Sequence, residues 1–347
     1  MRVVELDSVW REKYEMFIAG VPQNMIYYAW SYRTFLEELL SAKATYLGAV
    51  DDAGVLHGVL PLLGKEGPMG TVYNSLPFFG SYGGVLADVP DAAAALWNAY
   101  SEFISQEGVA AATVVINPLL PQVTPAQWDY EDLRIGQFTE LDFGNADRES
   151  ELMERIDPAA RRNVRSAERA GFQVGIENNI GALLQLAEIH RENILAIGGR
   201  IKPDNFFSLL PKYFAAGKDF NLYTARKDGE IVAALLLFYG GRIVEYFMPG
   251  TRLKYRSEQP SALLLKQAML DASLAGYLHW NWGGTWASQQ GVLRFKRKWG
   301  AKDSIYRYYT RLIKVEMLAC TSKQLLDDYG FFYTIPFSQL SKDAVSE

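Results

Sequence analysis

The stretch that most constrains this chain is residues 277–301, which read YLHWNWGGTWASQQGVLRFKRKWGA. It begins with a short aromatic run that ends at Gly283 and Gly284, a pattern typical of a buried strand followed by a turn where the backbone takes positive φ. Because glycine has no side chain, a ligand can approach the backbone closely there. Residues 291–300 then combine apolar residues, spaced as in a short helix or turn, with a cluster of cations between Arg294 and Lys298. These features predict a site for an anionic ligand.

The same stretch resembles a known family. The glycine pair and the segment Gly291-Val-Leu-Arg-Phe-Lys-Arg-Lys-Trp-Gly300 are similar to the closing motif of FemAB-like transferases: glycine, leucine, Phe-Lys and aromatic-Gly. These proteins, of the FemX and methicillin-resistance type, are double-domain members of the GNAT acyltransferase superfamily. The likeness extends to BioF2-like acetyltransferase domains.

A second, separate segment carries the same resemblance. Residues 157–171 contain Arg-Arg-Asn-Val-Arg-Ser-Ala, and FemAB-like proteins have a similar helix near the join of their two domains. Asp157 is a suitable N-cap, Pro158 suits the first helical position, and Gly171 suits the residue just past the end. We therefore predict an arginine-rich helix between the two halves of the chain.

Composition narrows the class of protein. A chain of 347 residues, 49% hydrophobic and 22% charged, is long enough for two globular domains. Its net charge of -5 argues against a generally basic DNA-binding protein, so any contact with RNA or phosphate must depend on a local patch. The single cysteine, Cys320, excludes an intramolecular disulfide and fits a reducing compartment.

The sequence also favours a cytoplasmic location. The N-terminus has acidic residues where a signal peptide would have an apolar core. The longest apolar run, Ile231–Tyr239, is about half of the length that a spanning helix requires. We expect no transmembrane segment, while peripheral contact with a membrane stays open.

The two halves of the chain follow a similar order of elements. Turn glycines Gly54 and Gly229 lie 175 positions apart, and Gly108 and Gly276, which precede closing strands, lie 168 apart. Similar offsets indicate a duplicated α/β unit. In the first half we predict helices over 1–44, a hairpin of 44–50 with 55–63, a loop at 74–84, a helix over 91–106 and a strand over 111–117. In the second half we predict a hairpin of 220–226 with 231–239, a strand over 242–248, a helix over 261–275 and a strand over 278–282.

The predicted fold class is therefore α/β (α+β). It consists of two tandem GNAT-like domains, each a mixed, mainly antiparallel sheet flanked by helices. The predicted divisions are an N-terminal domain (1–150), the connecting arginine-rich helix (151–175), a C-terminal domain (176–320) and a tail packing on the domains (321–347).

The resemblance implies roles for several residues. Lys296 occupies the lysine of the Phe-Lys motif, so it is the candidate catalytic group, a cation that stabilises the developing oxyanion. The alternative is a solvated lysine in a basic run. The candidate substrate-binding residues are Arg33, Arg200, Tyr246, Phe295, Gly283 and Gly284, and the candidate donor-binding residues are Arg161, Arg165 and Arg256.

Most of these residues also have a purely structural interpretation. Tyr246, 50 positions before Lys296, is equally typical of a half-buried sheet tyrosine. Around Arg200 the sequence departs from the family pattern, so Lys202 could replace it. Arg33 stands where the family's Trp-x-x-Lys element has lysine. An arginine run such as that of Arg161 and Arg165 usually marks a solvated helix face, and Phe295 is more typical of packing.

Other chemistries are not indicated. The three histidines are scattered, so no metal site is predicted. A nucleophile elbow, a Walker motif and a dinucleotide fingerprint are absent. The turn that binds coenzyme A pyrophosphate in single-domain relatives corresponds to residues 256–262, which keep Arg256 and Ala262 but lack both glycines. We therefore predict no tightly bound cofactor and leave the donor open between aminoacyl-tRNA and acyl-coenzyme A.

The activity implied by the resemblance is acyl or aminoacyl transfer to an amine of a bacterial cell-envelope precursor, such as a peptidoglycan stem peptide or an amino sugar. The amine would attack directly in a ternary complex. The expected partners are a small or lipid-linked envelope precursor and tRNA, with no DNA. The alternatives are an acetyl-coenzyme A dependent N-acetyltransferase and a non-catalytic relative that binds a glycan or a partner. Glu245 and Asp303 are candidate bases only through their proximity in the sequence.

Overall fold

The computed structural model describes residues 1–78, 82–120, 125–144 and 147–341. Parts of the predicted loop (79–81) and of the predicted tail (342–347) lie outside the described residues. The chain divides into two compact units, one of Met1–Arg134 with Ile305–Glu347 and one of Ile135–Ser304. No helix in the described ranges combines the length and the apolar character that crossing a bilayer requires.

The secondary-structure elements alternate along the chain. The first are β1 (Arg2–Glu5), α1 (Arg11–Ala19), α2 (Trp30–Leu40), β2 (Lys43–Val50), β3 (Leu56–Gly67), β4 (Gly70–Asn74), β5 (Leu86–Ala87), α3 (Pro90–Ile104), β6 (Val109–Val115) and β7 (Tyr130–Glu140). They are followed by α4 (Arg148–Arg155), α5 (Pro158–Arg169), β8 (Gln173–Ile176), α6 (Ile180–Leu195), α7 (Phe206–Tyr213), β9 (Phe220–Lys227), β10 (Glu230–Gly240) and β11 (Ile243–Thr251). The last are α8 (Pro260–Leu274), β12 (His279–Thr285), α9 (Gln290–Arg297), β13 (Lys302–Leu312) and α10 (Ser322–Asp328).

The first unit is a sheet in the order β1-β2-β3-β4-β6-β13. Its strand pairs are antiparallel except β4 with β6, which is parallel. Helix α3 lies between these two strands in the chain. Leu96, Tyr100 and Ile104 of α3 are buried against sheet residues such as Leu60 and Val114. This burial of one helix face on one sheet face is the apolar contact that stabilises the unit.

Strand pairing also decides which unit holds the end of the chain. β13 pairs with β6, with Tyr309 opposite Val114. The side chain of Asn74 exchanges two hydrogen bonds with the backbone of Tyr333. The units therefore differ from the predicted bounds of 1–150 and 176–320: residues 305–320 pack with the first unit and residues 135–150 with the second.

The second unit is a sheet in the order β7-β12-β11-β10-β9-β8. Only β11 and β12 pair in parallel, and α8 connects them. Hairpin, antiparallel third strand, helix and parallel strand thus follow one another in both units. The prediction of two tandem units with mixed, mainly antiparallel sheets is confirmed.

Helix α5 is the arginine-rich helix that the sequence predicts. The Asp157 carboxylate accepts a hydrogen bond from the Ala159 amide at 2.7 Å, and Gly171 has φ +76° just past the end. Val164 and Ala167 are fully buried, while the arginines lie on other faces. One face of the helix therefore packs in the core, and the arginines lie outside this apolar contact.

Some elements differ from the prediction. Residues 1–44 are predicted to be helical, yet Arg2–Glu5 form β1, which pairs with β2. Strands β4, β5, β7, β8 and β13 also have no counterpart in the prediction. For β1, β7 and β13, pairing with a neighbour distant in sequence, rather than local propensity, stabilises the strand.

The second sheet opens between its two parallel strands. β11 and β12 pair only from Ile243 opposite His279 to Glu245 opposite Asn281. Immediately afterwards both strands shift register against their outer neighbours: Phe247 is an extra residue opposite β10, and β12 has one residue too many opposite β7. A β-bulge bends its strand, so the two bulges account for the parting of the strands at this point.

Gly283 lies in the β12 bulge. Its φ is +71°, and an added Cβ would meet nothing within 4 Å. The expectation of positive φ at this position is therefore correct, but the glycine pair does not end the strand, because β12 continues to Thr285. The backbone conformation, rather than a lack of space, requires glycine here.

Replacing Gly283 by alanine tests this requirement. We expect Gly283→Ala to lower the free energy of unfolding by about 1–2 kcal/mol, because a side chain disfavours the left-handed conformation. Gly175→Ala is the matched control, since Gly175 lies in β8 and an added Cβ there also meets nothing within 4 Å. Urea denaturation of both variants measures the difference, and equal stabilities would contradict the interpretation.

Candidate active site

Lys296 is buried beside the β12 bulge. It lies on α9 and is 5% exposed. Its Nζ donates hydrogen bonds to the Thr285 hydroxyl at 2.6 Å and to the Gly283 carbonyl oxygen at 3.2 Å. The bulge turns the Gly283 carbonyl towards this amine, so the unusual backbone and the buried lysine form one arrangement.

Burial changes the acidity of this lysine. Removal from water lowers the pKa of Lys296 from its ordinary 10.5 to about 8. At neutral pH the amine is still mainly protonated, and in the described part of the chain no carboxylate forms an ion pair with it. The alternative interpretation, that Lys296 is a solvated surface lysine, is thus wrong, because the side chain is buried. The catalytic role of Lys296 stays a prediction.

Aromatic rings pack beside the β12 bulge. The ring of Tyr246 lies 4.8 Å from that of Trp282 and 6.1 Å from that of Trp280. Phe295 packs edge-on against Trp282 at 6.0 Å and is 41% exposed. Burial raises the pKa of Tyr246, so its hydroxyl is neutral and able to donate a hydrogen bond. The structure therefore brings Tyr246 and Phe295 together around Trp282 of β12, next to Gly283, which accepts a hydrogen bond from Lys296 of α9.

A buried polar pair marks the last residues before the strands part. Asn281 donates to the Glu245 carboxylate at 2.7 Å and accepts from the Gly283 amide at 2.9 Å. Glu245 is 1% exposed. Asp303, the other candidate base, accepts from Gln137 and forms an ion pair with Arg297, which lowers the pKa of Asp303. A carboxylate stabilised in this way is a weak base, so Glu245 is the better placed of the two.

A groove joins the two motifs that are separate in the sequence. It is a cavity of about 360 Å³ between α5 and α9. Cations, an amide and aromatic rings share its surface, and its lining residues are Ala160, Asn163, Gly291, Arg294, Phe295, Lys298 and Trp299. The Asp157 amide also donates to the Lys298 carbonyl oxygen at 2.8 Å, which ties the two segments together. The sequence indicated both segments, but it missed Asn163 as a lining residue.

Arg161 and Arg165 line a second, more open cavity. It has a volume of about 560 Å³ and also contains Arg162. Arg161 donates to the Met153 carbonyl oxygen at 2.8 Å, which fixes its guanidinium near the end of α4. Arg256 is exposed in the turn before α8 and is not among the lining residues of this cavity. Two of the three candidate donor residues thus form one basic surface, and the third does not join it.

Arg200 and Lys202 differ sharply in their surroundings. Arg200 is exposed between α6 and α7, whereas Lys202 is 8% exposed. The Lys202 amine lies 4.8 Å from the ring centre of Phe247, the extra residue of the β11 bulge, and burial lowers the pKa of Lys202 to about 7. Of the two, Lys202 is the cation that contacts the bulge. The binding role of Arg200 stays a prediction.

Arg33 is part of the interior of the first unit. It is 9% exposed, donates to the Leu6 carbonyl oxygen at 2.6 Å, and stacks on the rings of Trp30 and Tyr46. These contacts give its guanidinium a packing function. Substrate binding by Arg33 stays a prediction. Among the described residues, no group of three or more His, Cys, Asp or Glu side chains is placed to hold a metal ion.

Comparison with known proteins agrees with this geometry. Residues 158–297 match the acetyltransferase (GNAT) domain family. The crystal structure of FemX superimposes with a TM-score of 0.68 at 15% identity, covering 91% of this chain and 98% of FemX. No curated protein matches the sequence.

Two further solved structures share the fold. The C-terminal domain of a putative lysylphosphatidylglycerol synthetase from Agrobacterium fabrum has a TM-score of 0.57 at 13% identity, covering 93% of this chain and 98% of that domain. A tandem GNAT protein from the clavulanic acid biosynthesis pathway has a TM-score of 0.52 at 12% identity, covering 90% and 98%. The resemblance to FemX-like proteins is confirmed at the level of the fold, and the match over 158–297 indicates an acyltransferase. Residues 158–297, within the second unit, match the acetyltransferase (GNAT) domain, and the chain has the FemX-like fold of two tandem GNAT-like units.

Proposed function

We propose that this protein transfers an acyl or aminoacyl group to an amine of a bacterial cell-envelope precursor. The observation that carries the proposal is the buried, mainly protonated Lys296 at the place where β11 and β12 part. A cation held in a site with little water stabilises developing negative charge far better than one in solution. The envelope acceptor is implied by the FemAB-like resemblance.

The chemistry requires few groups. The acceptor amine attacks the acyl carbonyl carbon, a C–N bond forms, and the carbonyl oxygen becomes an oxyanion that Lys296 stabilises. The oxyanion collapses and the C–O or C–S bond to the donor breaks. The leaving oxygen or sulfur gains a proton, and the amine loses one. Glu245 is the candidate to receive the amine's proton, because it lies at the last strand pair before the gap.

We infer that aminoacyl-tRNA is the preferred donor. The groove between α5 and α9 offers Arg294 and Lys298 for phosphates and exposed Phe295 for stacking on a base. The start of α8, where single-domain relatives bind coenzyme A, instead has Gln259 in a left-handed conformation and Pro260 at the first helical position. Proline has no N–H to offer a phosphate, which disfavours coenzyme A there. Acyl-coenzyme A is the second candidate donor.

Donor titration tests this choice. Aminoacyl-tRNA and acetyl-coenzyme A are titrated separately into the full chain at several salt concentrations. Binding of tRNA that weakens steeply with salt supports the proposal, because phosphate contacts release counterions. Binding of coenzyme A alone would replace the donor, and binding of neither would favour the non-catalytic alternative.

Removing the Lys296 cation should separate catalysis from stability. We expect Lys296→Met to lower kcat by about 100-fold or more, which is the usual effect of losing one group that stabilises an oxyanion. The variant should still fold, because methionine fills similar space and removes a buried charge, which offsets the loss of the hydrogen bonds to Gly283 and Thr285. Lys302→Met is the control, because Lys302 is an exposed lysine paired with Glu140. Transfer rates within a few-fold of wild type in the Lys296 variant would contradict its catalytic role.

The lowered pKa of Lys296 also predicts opposite pH trends for stability and activity. Between about pH 8 and pH 10.5 the folded protein releases the Lys296 proton while the unfolded chain keeps it. The unfolded state then binds more protons, so stability rises with pH in this window, by up to about 3 kcal/mol relative to Lys296→Met. Activity should fall above about pH 8 as the cation is lost.

Both trends are measurable with the same pair of proteins. Urea denaturation of wild type and Lys296→Met from pH 7 to pH 10.5 isolates the lysine, because all other titrating groups are common to both. The pH profile of kcat/KM gives the second trend. A stability difference that does not change with pH would show that Lys296 keeps an ordinary pKa.

A further inference from the structure

A small, mainly apolar pocket with several polar groups in its lining lies in the second unit at the other end of β12 from Lys296. It is a cavity of about 220 Å³, and it contains Tyr277, two residues before the strand, whereas Lys296 contacts Gly283 and Thr285 near the end of the strand. Its lining residues are Ile176, Gly217, Asn221, Tyr223, Tyr239, Asp271, Ala272, Ala275 and Tyr277. Three of these residues are tyrosines and one is a carboxylate, so the pocket has a chemical character of its own.

The polar atoms of the pocket form a network centred on Asp271. The Tyr223 hydroxyl donates to one Asp271 oxygen at 3.0 Å, and Gln267 donates to the other at 2.8 Å. The Asn221 amide donates to the Tyr239 hydroxyl at 3.3 Å. A carboxylate accepts about four hydrogen bonds, so these two donors use about half of its capacity. The network holds Asp271 in place and leaves acceptor capacity for a ligand.

The electrostatics of the pocket favour a cation. Ala272 and Ala275 belong to the last turn and C-cap of α8, a 15-residue helix whose C-terminal end carries partial negative charge. Asp271 adds a full negative charge in the same turn. The described lining contains no lysine, arginine or histidine. The helix end, the carboxylate and the absence of cations from the described lining therefore all favour a cationic ligand.

The tyrosine rings reinforce this preference. Tyr239 and Tyr277 lie with ring centres 5.1 Å apart, and Tyr223 and Tyr239 are almost fully buried. Aromatic faces attract an ammonium group within about 6 Å of the ring centre. Burial raises the pKa of Tyr239 to about 12, so its hydroxyl stays neutral and its oxygen can accept a hydrogen bond from an ammonium group.

We propose that this pocket binds the alkylammonium group of a small primary amine. A primary ammonium has three N–H donors, which match the spare acceptors of Asp271 and the tyrosine hydroxyls. A quaternary ammonium could use only the rings. The proposal does not depend on the transferase function, because the pocket and Lys296 lie at different ends of β12.

The test uses the full-length protein and n-butylammonium chloride as the probe. Saturation-transfer NMR and calorimetry measure binding, with sodium chloride at equal ionic strength as the reference. We expect one site per chain and at least a 10-fold loss of affinity in Asp271→Asn, which keeps the size of the side chain but removes its charge and one acceptor oxygen. Asp228→Asn is the matched control, because it removes one charge at an exposed turn of the same unit.

A second variant protects the test against misfolding. Ala275 is exposed at the rim and is the C-cap of α8, so Ala275→Lys puts a cation in the pocket and suits the helix end. We expect it to abolish butylammonium binding without loss of thermal stability. Undetectable binding to wild type at tens of millimolar probe, or unchanged affinity in Asp271→Asn and Ala275→Lys, would overturn the proposal. Equal affinity for tetramethylammonium would overturn the assignment to a primary amine.

Discussion

The parting of β11 and β12 is the constraint on which the site depends. The parallel ladder ends at Glu245 and Asn281, after which β11 continues along β10 and β12 along β7. The two backbone edges that face the gap are then no longer joined to each other. Backbone groups that leave a ladder need other partners. The Gly283 carbonyl finds one in Lys296, so the opening of the sheet and the placement of the candidate catalytic cation are the same structural event.

Burying a lysine opposes folding unless its surroundings compensate. The hydroxyl of Thr285 and the carbonyl of Gly283 supply two acceptors, yet the pKa of Lys296 still falls to about 8 because removal from water outweighs them. A group kept in such an environment is a functional candidate, since a solvated position would cost the fold nothing. Lys202, whose amine lies over the ring of Phe247 in the β11 bulge, shows the same combination of burial and lowered pKa.

Much of the fold could be predicted from local signals. The hairpins, α3, α5 and α8 follow from turn residues, caps and apolar periodicity. β1, β7 and β13 could not be predicted, because each depends on a partner distant in sequence: β13 meets β6 with Tyr309 opposite Val114. The pair Gly283 and Gly284 shows the same limit, since a turn and a bulge both require glycine, and only the neighbouring strand distinguishes them.

Site residues could be predicted where they belong to a sequence motif, but not where their role depends on whether the fold buries them. The Phe-Lys motif of the FemAB-like resemblance indicated Lys296 and Phe295, but the sequence could not show that Arg33 stacks inside the first unit or that Lys202 is buried near Phe247. The cations of the second unit also differ in how strongly salt screens their charge, because some are exposed and Lys296 is buried. Exposed Arg294 and Lys298 act through water and are screened by salt, whereas Lys296 is largely shielded from it. Ionic strength should therefore change how tightly a polyanionic donor binds far more than it changes the chemical step.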